Sequence, residues 1–158
     1  MPTHDDEAPL RRAIGVAVAA RAKGNHPFGA ILVGPEGDVL LEAGNTVVTG
    51  RDATGHAERN LMTLASRRFP RDLLARRTMC TSTEPCAMCA GAVYWTGVRR
   101  VVDGLAEWDL LAMTGAHPEN PTFDLPCRVV FAAGQAATEV AGPLLIAEAR
   151  AVHEGFWG

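Results

Sequence analysis

Two short motifs with metal-binding side chains constrain the fold of this chain more than any other feature. His56-Ala57-Glu58 stands at the start of one predicted helix, and Pro85-Cys86-Ala87-Met88-Cys89 stands at the start of another. One imidazole and two thiolates are borderline-soft donors that suit Zn²⁺, and three protein ligands leave one tetrahedral position open. These side chains can meet only where the first turns of the two helices converge, so the sequence predicts that convergence.

The order of residues within the motifs also indicates what each side chain does. Residues two apart do not share a helical face, so His56 and Glu58 can serve one site only if the metal lies beyond the helix end. The positive ends of the helix dipoles, together with the metal, would lower the pKa of the Cys86 and Cys89 thiols. Glu58 then remains free to move protons beside a water that the metal activates.

Each motif has an ordinary interpretation when it stands alone. A C-x-x-C pair can be redox active or half of a structural zinc site, and H-x-E is a frequent accident of composition. The two together favour a catalytic zinc site held by His56, Cys86 and Cys89. The other two cysteines, Cys80 and Cys127, lie in predicted strands, where a free cysteine usually belongs to the core.

Apolar periodicity and turn residues predict a single domain over residues 1–158, with residues 1–7 loose. The predicted elements are a helix over about 8–23, strands over 28–33 and 39–43, a helix over 56–68, a strand over 78–82, a helix over 86–96, a strand over 98–105, a helical turn near 107–112, a strand over 127–133 and a last helix from Gly142-Pro143 to about His153. The first two strands predict an antiparallel hairpin, and the strand, helix and strand between 78 and 105 predict a parallel pair. We therefore expect an α/β fold, a three-layer α/β/α sandwich around a mixed five-stranded sheet.

Charge and hydropathy narrow the class of protein. The chain carries 15 basic and 18 acidic side chains and a net charge of −3, so it lacks the positive field of a sequence-independent nucleic-acid binder. No apolar run approaches the roughly 18 residues of a membrane span. Arg11-Arg12 and the apolar run after them are compatible with a signal peptide, but a buried amphipathic helix explains them equally well. The few cysteines favour reduced thiols and a cytoplasmic protein.

The two motifs belong to a longer stretch, from about Leu10 to Leu105, that resembles the cytidine deaminase superfamily. The resemblance rests on Pro27-Phe28-Gly29-Ala30, on Gly44-Asn45, on His56-Ala57-Glu58 and on the run from Glu84 to Ala92. Within the superfamily the chain is similar to the branch of bacterial guanine deaminases and tRNA adenosine deaminases, and the run from Thr81 to Trp95 is closer to the guanine deaminases. The short spacer between the two motif cysteines disfavours the riboflavin-pathway deaminases, which carry a longer insertion.

This resemblance implies a zinc-dependent deaminase with His56, Cys86 and Cys89 as zinc ligands and Glu58 as the proton shuttle. It also implies a substrate site, in which Phe28 and Trp95 flank a flat base, Asn45 hydrogen-bonds the polar edge of the base, and backbone groups around Ala57 complete that edge. Each of these substrate contacts has another explanation. The two aromatic side chains can belong to the core or pack under a loop, and the asparagine can form an Asx turn.

The resemblance ends after Leu105, where the sequence departs from the family pattern. Deaminases similar to this chain close the pocket with a C-terminal segment that often comes from the partner subunit, which implies a homodimer. Here the tail reads His153-Glu154-Gly155-Phe156-Trp157-Gly158, and we expect Trp157 to cover the base and Glu154 to contact it. Further candidates in the loop before the tail, with no order among them, are Asp109, His117 and Asp124.

Three functions remain open at this point. The first is removal of the exocyclic amino group from a free nucleobase or a related small heterocycle, with guanine as the first guess and cytosine or a nucleoside as alternatives. The second is a tRNA adenosine deaminase, which needs a basic surface that a chain of net charge −3 does not favour. The third is a zinc-stabilised binding protein without turnover, against which Glu58 speaks. The expected partners are a small molecule and a second copy of the chain, with no membrane.

Overall fold

A computed structural model describes residues 5–158, in which helices and strands alternate. The helices are α1 (Glu7–Ala22), α2 (Ala57–Arg68), α3 (Arg71–Leu74), α4 (Ala87–Thr96), α5 (Glu107–Thr114), α6 (Cys127–Ala132) and α7 (Ile146–Ala151). The strands are β1 (Gly29–Val33), β2 (Val39–Gly44), β3 (Thr78–Thr83), β4 (Arg100–Leu105) and β5 (Glu139–Ala141). Apart from α3, α6 and β5, each element lies where the sequence predicts an element of the same type.

The strands form one mixed sheet in the order β2-β1-β3-β4-β5. β1 pairs antiparallel with β2, as the turn between them predicts, and also antiparallel with β3. β3 and β4 are parallel and connected through α4, and β4 and β5 are parallel as well. The predicted mixed five-stranded sheet is confirmed.

Alternate side chains of the strands enter two separate cores, one on each face of the sheet. Ala30 and Leu32 of β1 pack with side chains of α2, α4 and α6, whereas Ile31 and Val33 pack with α1, α5 and α7. Burying each large apolar side chain stabilises the fold by roughly 1.5–3 kcal/mol. Helices therefore cover both faces of the sheet, which gives the expected three layers. Cys80 of β3 is fully buried in the second of these cores.

The predicted strand over residues 127–133 is wrong, because this segment forms α6 and the fifth strand is Glu139–Ala141. The β-branched residues of the segment favour a strand, but Cys127 and Phe131, four positions apart, both pack into the core beside α2 and α4. The backbone N–H of Cys127 also donates to the buried carboxylate of Glu84 at 2.6 Å, which satisfies one free donor of the first helical turn. Contacts between distant segments outweigh the local strand preference here.

The N-terminal segment is better anchored than the sequence indicates. Residues 1–4 of the segment expected to be loose lie outside the described residues, but Asp6 pairs with Arg100 of β4 through two hydrogen bonds of 2.8 and 2.9 Å. The hydrogen bonds to Asp6 raise the pKa of Arg100, so the guanidinium stays charged. α1 then begins at Glu7 and lies on the sheet. Within residues 5–158, no helix combines the length and the hydropathy needed to cross a lipid bilayer.

Candidate active site

The metal-binding motifs meet where two helices begin. His56 is the N-cap residue of α2, Cys86 is the N-cap residue of α4, and Cys89 lies in the first turn of α4. The Nδ1 atom of His56 lies 3.5 Å from Cys86 Sγ and 3.6 Å from Cys89 Sγ. All three ligand atoms lie within 4.8 Å of one another. The predicted convergence of the two helix starts is confirmed.

These distances fit a tetrahedral zinc ion. Bonds of about 2.3 Å to sulfur and about 2.0 Å to nitrogen would place neighbouring ligand atoms about 3.5 Å apart on a tetrahedron. One imidazole and two thiols are therefore already held at the separation that Zn²⁺ requires, and three protein ligands leave the fourth position open. The other two cysteines, Cys80 and Cys127, are buried in the cores and supply no ligand to this group.

Hydrogen bonds favour a negative charge on the sulfur of Cys86, whereas the hydrogen bond with Cys86 and burial raise the pKa of Cys89, opposite to the lowering that the sequence predicts for both thiols. The Cys89 thiol and the His56 imidazole both hydrogen-bond Cys86, and these contacts lower the pKa of Cys86 although burial opposes them. The same contact with Cys86 raises the pKa of His56. The N-termini of α2 and α4 add the positive ends of two helix dipoles. The site therefore attracts a cation, and binding one would displace the protons that the three side chains share.

Glu58 lies beside these ligands and is not one of them. It is the second residue of α2, only 5% exposed, and it lines the same cavity as His56 and Cys86. Burial, assisted by the negative charge of Cys86, raises the pKa of Glu58 to about 7. A carboxyl with that pKa can take up and release a proton near neutral pH, which is what a general acid and base must do.

The cavity that contains Glu58 is small, at about 30 Å³, which is room for about one water molecule. Two apolar side chains and seven polar or ionisable ones form its walls: Phe28, His56, Glu58, Thr83, Glu84, Cys86, Glu107, Leu110 and Asn120. A second cavity of about 420 Å³ lies next to it and shares His56, Cys86, Glu107 and Asn120. Residues 118–123 line this second, outer cavity, so the loop before α6 borders the approach to the ligands.

The C-terminal tail packs behind Phe28 on its own chain. Trp157 is buried, and its indole N–H donates to Nδ1 of His153 at 3.0 Å. The imidazole of His153 meets the ring of Phe28 edge-on, with 5.3 Å between centroids, and its Nε2 lies 3.4 Å from Thr83 Oγ1. Trp157 thus supports the aromatic wall of the inner cavity and does not itself line it. His153 is a neighbour of the site that the sequence did not single out.

Asn45, Ala57 and Trp95, the other residues expected from the resemblance to contact substrate, do not line the inner cavity, although Ala57 lies between His56 and Glu58, which do. Asn45 is buried, and its Oδ1 accepts the Val47 N–H at 3.0 Å, which is an Asx turn. Ala57 is fully buried in the core below the ligands. Trp95 is 72% exposed at the end of α4 and contacts Tyr94.

The candidates in the tail and in the loop before it are also spread out. The side chain of Glu154 is exposed, and the backbone carbonyl of this residue accepts a hydrogen bond from Arg21. His117 packs edge-on against Trp157, whereas Asp109 is half-buried and Asp124 is exposed. None of these four lines the inner cavity.

Sequence reasoning missed the two other carboxyls of the inner cavity, Glu84 and Glu107. Glu84 accepts the backbone N–H of Glu107 at 3.1 Å and that of Cys127 at 2.6 Å, so one carboxylate holds the first residues of α5 and α6. Glu107 is 5% exposed, and burial raises its pKa to about 9, with the negative charge of Cys86 adding to the effect. Glu84 stands two residues before Cys86 in the cysteine motif, so its position near the ligands could have been predicted from the sequence. Glu107 belongs to no motif and could not.

The chain belongs to the cytidine and deoxycytidylate deaminase family, whose zinc-binding region matches residues 3–105. The matched residues include the three ligands and Glu58, so the chain is a hydrolytic deaminase of a zinc-binding family. The fold around them agrees with this, since solved deaminases superimpose on nearly the whole chain.

Similar proteins carry three different substrate names. A probable cytosine deaminase of Schizosaccharomyces pombe is 42% identical over 152 residues, which cover 96% of this chain and 92% of that protein. A tRNA-specific adenosine deaminase of Haemophilus influenzae is 32% identical over 103 residues, or 65% of this chain and 60% of that protein. The structure of guanine deaminase from Nitrosomonas europaea aligns with a TM-score of 0.76 and 28% identity, covering 96% of this chain and 84% of that one.

Proposed function

We propose that this chain catalyses the zinc-dependent, hydrolytic removal of an exocyclic amino group from a free nucleobase. The position of Glu58 carries the proposal, because a buried carboxyl with a pKa near neutrality lies beside three zinc ligands. The ring of Phe28 supplies a flat wall for a planar heterocycle in the same cavity. That cavity must widen to admit any base, and a free base requires the least widening.

The residues of the cavity divide the chemistry among them. His56, Cys86 and Cys89 would hold the zinc ion, which when bound would lower the pKa of the water that attacks the amino-bearing carbon of the base. Glu58 takes one proton from the attacking water and passes it to the ring nitrogen. It then takes the remaining proton from the new hydroxyl group and passes it to the amino group, which leaves as ammonia when its bond to the ring carbon breaks. Phe28 holds the ring in plane and keeps bulk water from the reacting atoms.

Among free bases we place cytosine first and guanine second. Cytosine is supported by the S. pombe relative, whose similarity extends over 96% of this chain and so includes most of the segment after Leu105. The small volume beside Glu58 also favours a one-ring base. Guanine is supported by the N. europaea structure and by the run from Thr81 to Trp95.

The tRNA alternative has less support. The chain has a net charge of −3, and an RNA-binding surface neutralises phosphates with basic side chains. Filter binding of tRNA at moderate salt tests this alternative, and retention of tRNA at micromolar protein would favour it.

Two further properties belong to the proposal. The indole rings of Trp95 and Trp108 are 72% and 68% exposed, which supports a homodimer that would cover them. Light scattering after gel filtration tests this.

Metal binding needs Cys86 and Cys89 as reduced thiols, which supports a cytoplasmic location.

An ammonia-release assay tests the function directly. Purified, zinc-loaded protein is incubated with cytosine, guanine, adenine, cytidine, guanosine and adenosine, and we expect release from a free base. Glu58→Ala should retain zinc and lose turnover by about 100- to 10,000-fold, because it removes the acid and base. Cys86→Ala should lose zinc as well, and Glu36→Gln, in the exposed β1–β2 turn, serves as the control. Silence of the wild-type protein on every base would overturn the proposal.

A further inference from the structure

Glu107 is a buried acid in the candidate active site that the chemistry above does not use. Its Oε2 atom is buried and has no hydrogen-bond partner among residues 5–158. Buried polar groups in folded proteins nearly always have a partner, so an unpaired buried carboxyl oxygen needs an explanation. The backbone of Glu107 is fixed, since its N–H donates to Glu84 at 3.1 Å in the first turn of α5.

The position of Glu107 indicates what its missing partner is. The side chain lines the inner cavity with Glu58 and Phe28, and it also lines the outer cavity with His56 and Cys86. Glu107 is therefore shared by the two cavities that border the metal ligands. A base that reaches Glu58 lies beside this side chain, and an N–H group of the base can supply the partner that Oε2 lacks.

The other acidic side chains of the inner cavity already have a role. Both oxygens of Glu84 accept backbone N–H groups, from Glu107 and from Cys127. Glu58 is required for proton transfer. Glu107 is therefore the acidic side chain of the inner cavity that is free to bind a ligand.

We infer that Glu107 is a substrate-binding residue that accepts a hydrogen bond from an N–H group of the base. This inference rests on the proposed function and adds a determinant of substrate choice to it. A carboxyl keeps at least one acceptor oxygen whether or not it is protonated, so Glu107 can accept from a donor on the ligand in either state. Nucleobases carry such donors on the ring and on the exocyclic amino group, and substituted bases lack some of them.

Binding measurements test the inference apart from turnover. Zinc-loaded Glu58→Gln protein, which holds a base without converting it, is titrated calorimetrically with cytosine, 1-methylcytosine, 2-pyrimidinone, guanine and 9-methylguanine. The same titrations are made after adding Glu107→Leu, Glu107→Gln or, as a matched control in the same helical turn, Asp109→Asn. Zinc content and the melting temperature are recorded for every variant, so that a folding defect is recognised.

We expect Glu107→Leu to weaken binding of the unsubstituted base by about 10- to 100-fold, the usual effect of leaving a buried donor without its partner. Glu107→Gln retains an acceptor oxygen and should lose about tenfold less than the leucine variant, while Asp109→Asn should change nothing. The loss should disappear for the analogue that lacks the contacted donor. If Glu107 contacts a ring N–H, the loss should disappear for 1-methylcytosine or 9-methylguanine. If it contacts the amino group, the loss should disappear for 2-pyrimidinone.

Two results overturn the inference in distinguishable ways. If Glu107→Leu binds all five ligands as tightly as its parent, or weakens them all equally, Glu107 does not contact a base N–H, and the proposed function stands on its own assay. If no ligand binds the Glu58→Gln parent and the wild-type protein releases no ammonia, the inference and the proposed function fail together.

Discussion

Replacing Asp103 with asparagine should remove a large part of the pH dependence of folding stability. Asp103 is 1% exposed in β4, and neither of its carboxylate oxygens has a hydrogen-bond partner within residues 5–158. Burial, assisted by the negative charge of Glu84, raises the pKa of Asp103 from 3.8 to about 7. The folded protein therefore binds this proton more tightly than the unfolded chain does.

The direction and size of the effect follow from that difference. Between pH 4 and pH 7 the folded state holds a proton on Asp103 that the unfolded chain has released, so the free energy of unfolding falls as the pH rises. Each pH unit below the folded-state pKa is worth about 1.4 kcal/mol of unfolding free energy. From pH 5 to pH 8 the free energy of unfolding therefore falls by about 3 kcal/mol, nearly all of it between pH 5 and pH 7. Above pH 7 the loss is complete and the contribution is flat.

Urea denaturation of wild-type and Asp103→Asn protein at pH 5, 6, 7 and 8, with saturating zinc in both, measures this contribution. The variant should gain about 3 kcal/mol relative to the wild type between pH 5 and pH 8, because asparagine cannot ionise. Asp124→Asn, which removes an exposed carboxyl, is the control for net charge. A difference between Asp103→Asn and wild type that stays constant to within about 0.5 kcal/mol across the series would refute the reasoning.

Three further substitutions test contacts around the site. Gly142→Ala should lower the free energy of unfolding by about 1–3 kcal/mol or more, because Gly142 has a φ of +134° and an added Cβ would collide with Asp103. Thermal denaturation measures this effect, and a melting temperature equal to that of the wild type would contradict it. Trp157→Phe keeps an aromatic ring but loses the hydrogen bond to His153, and it should cost about 1–3 kcal/mol by urea denaturation. Glu84→Gln keeps one acceptor oxygen for the two buried N–H groups and loses the other, so it should lower the free energy of unfolding by about 1.5–3 kcal/mol in the same measurement. A variant as stable as the wild type would show that Glu84 does not hold α5 and α6.

The parts of the fold and site that could be predicted are those encoded within a few neighbouring residues. His56, Cys86 and Cys89 stand in short motifs, and the ligand chemistry alone requires the two helix starts to meet, as they do. The alternation of buried side chains in β1 likewise follows from its own sequence, which places Ile31 and Leu32 in different cores.

The parts that could not be predicted depend on contacts between distant segments. Cys127 begins a helix because Glu84, far away in sequence, accepts its N–H and because the core behind α4 receives Phe131. The unpaired Glu107 is significant only because burial removes it from water, and burial is a property of the assembled fold. Trp95 illustrates the reverse, since an aromatic residue inside a family motif lies on the surface of this chain.

The two N–H groups that Glu84 binds belong to Glu107 and Cys127, so a single carboxylate fastens both ends of the segment between them. This segment includes the loop over residues 115–126, which borders the outer cavity, whereas α5 packs Leu110 into the core. The loop can change in length at little cost, since each doubling of a flexible loop costs only about 0.6 kcal/mol of closure entropy. Substrate range in this deaminase can therefore be redesigned in the loop between α5 and α6 while the zinc ligands and Glu58 stay untouched.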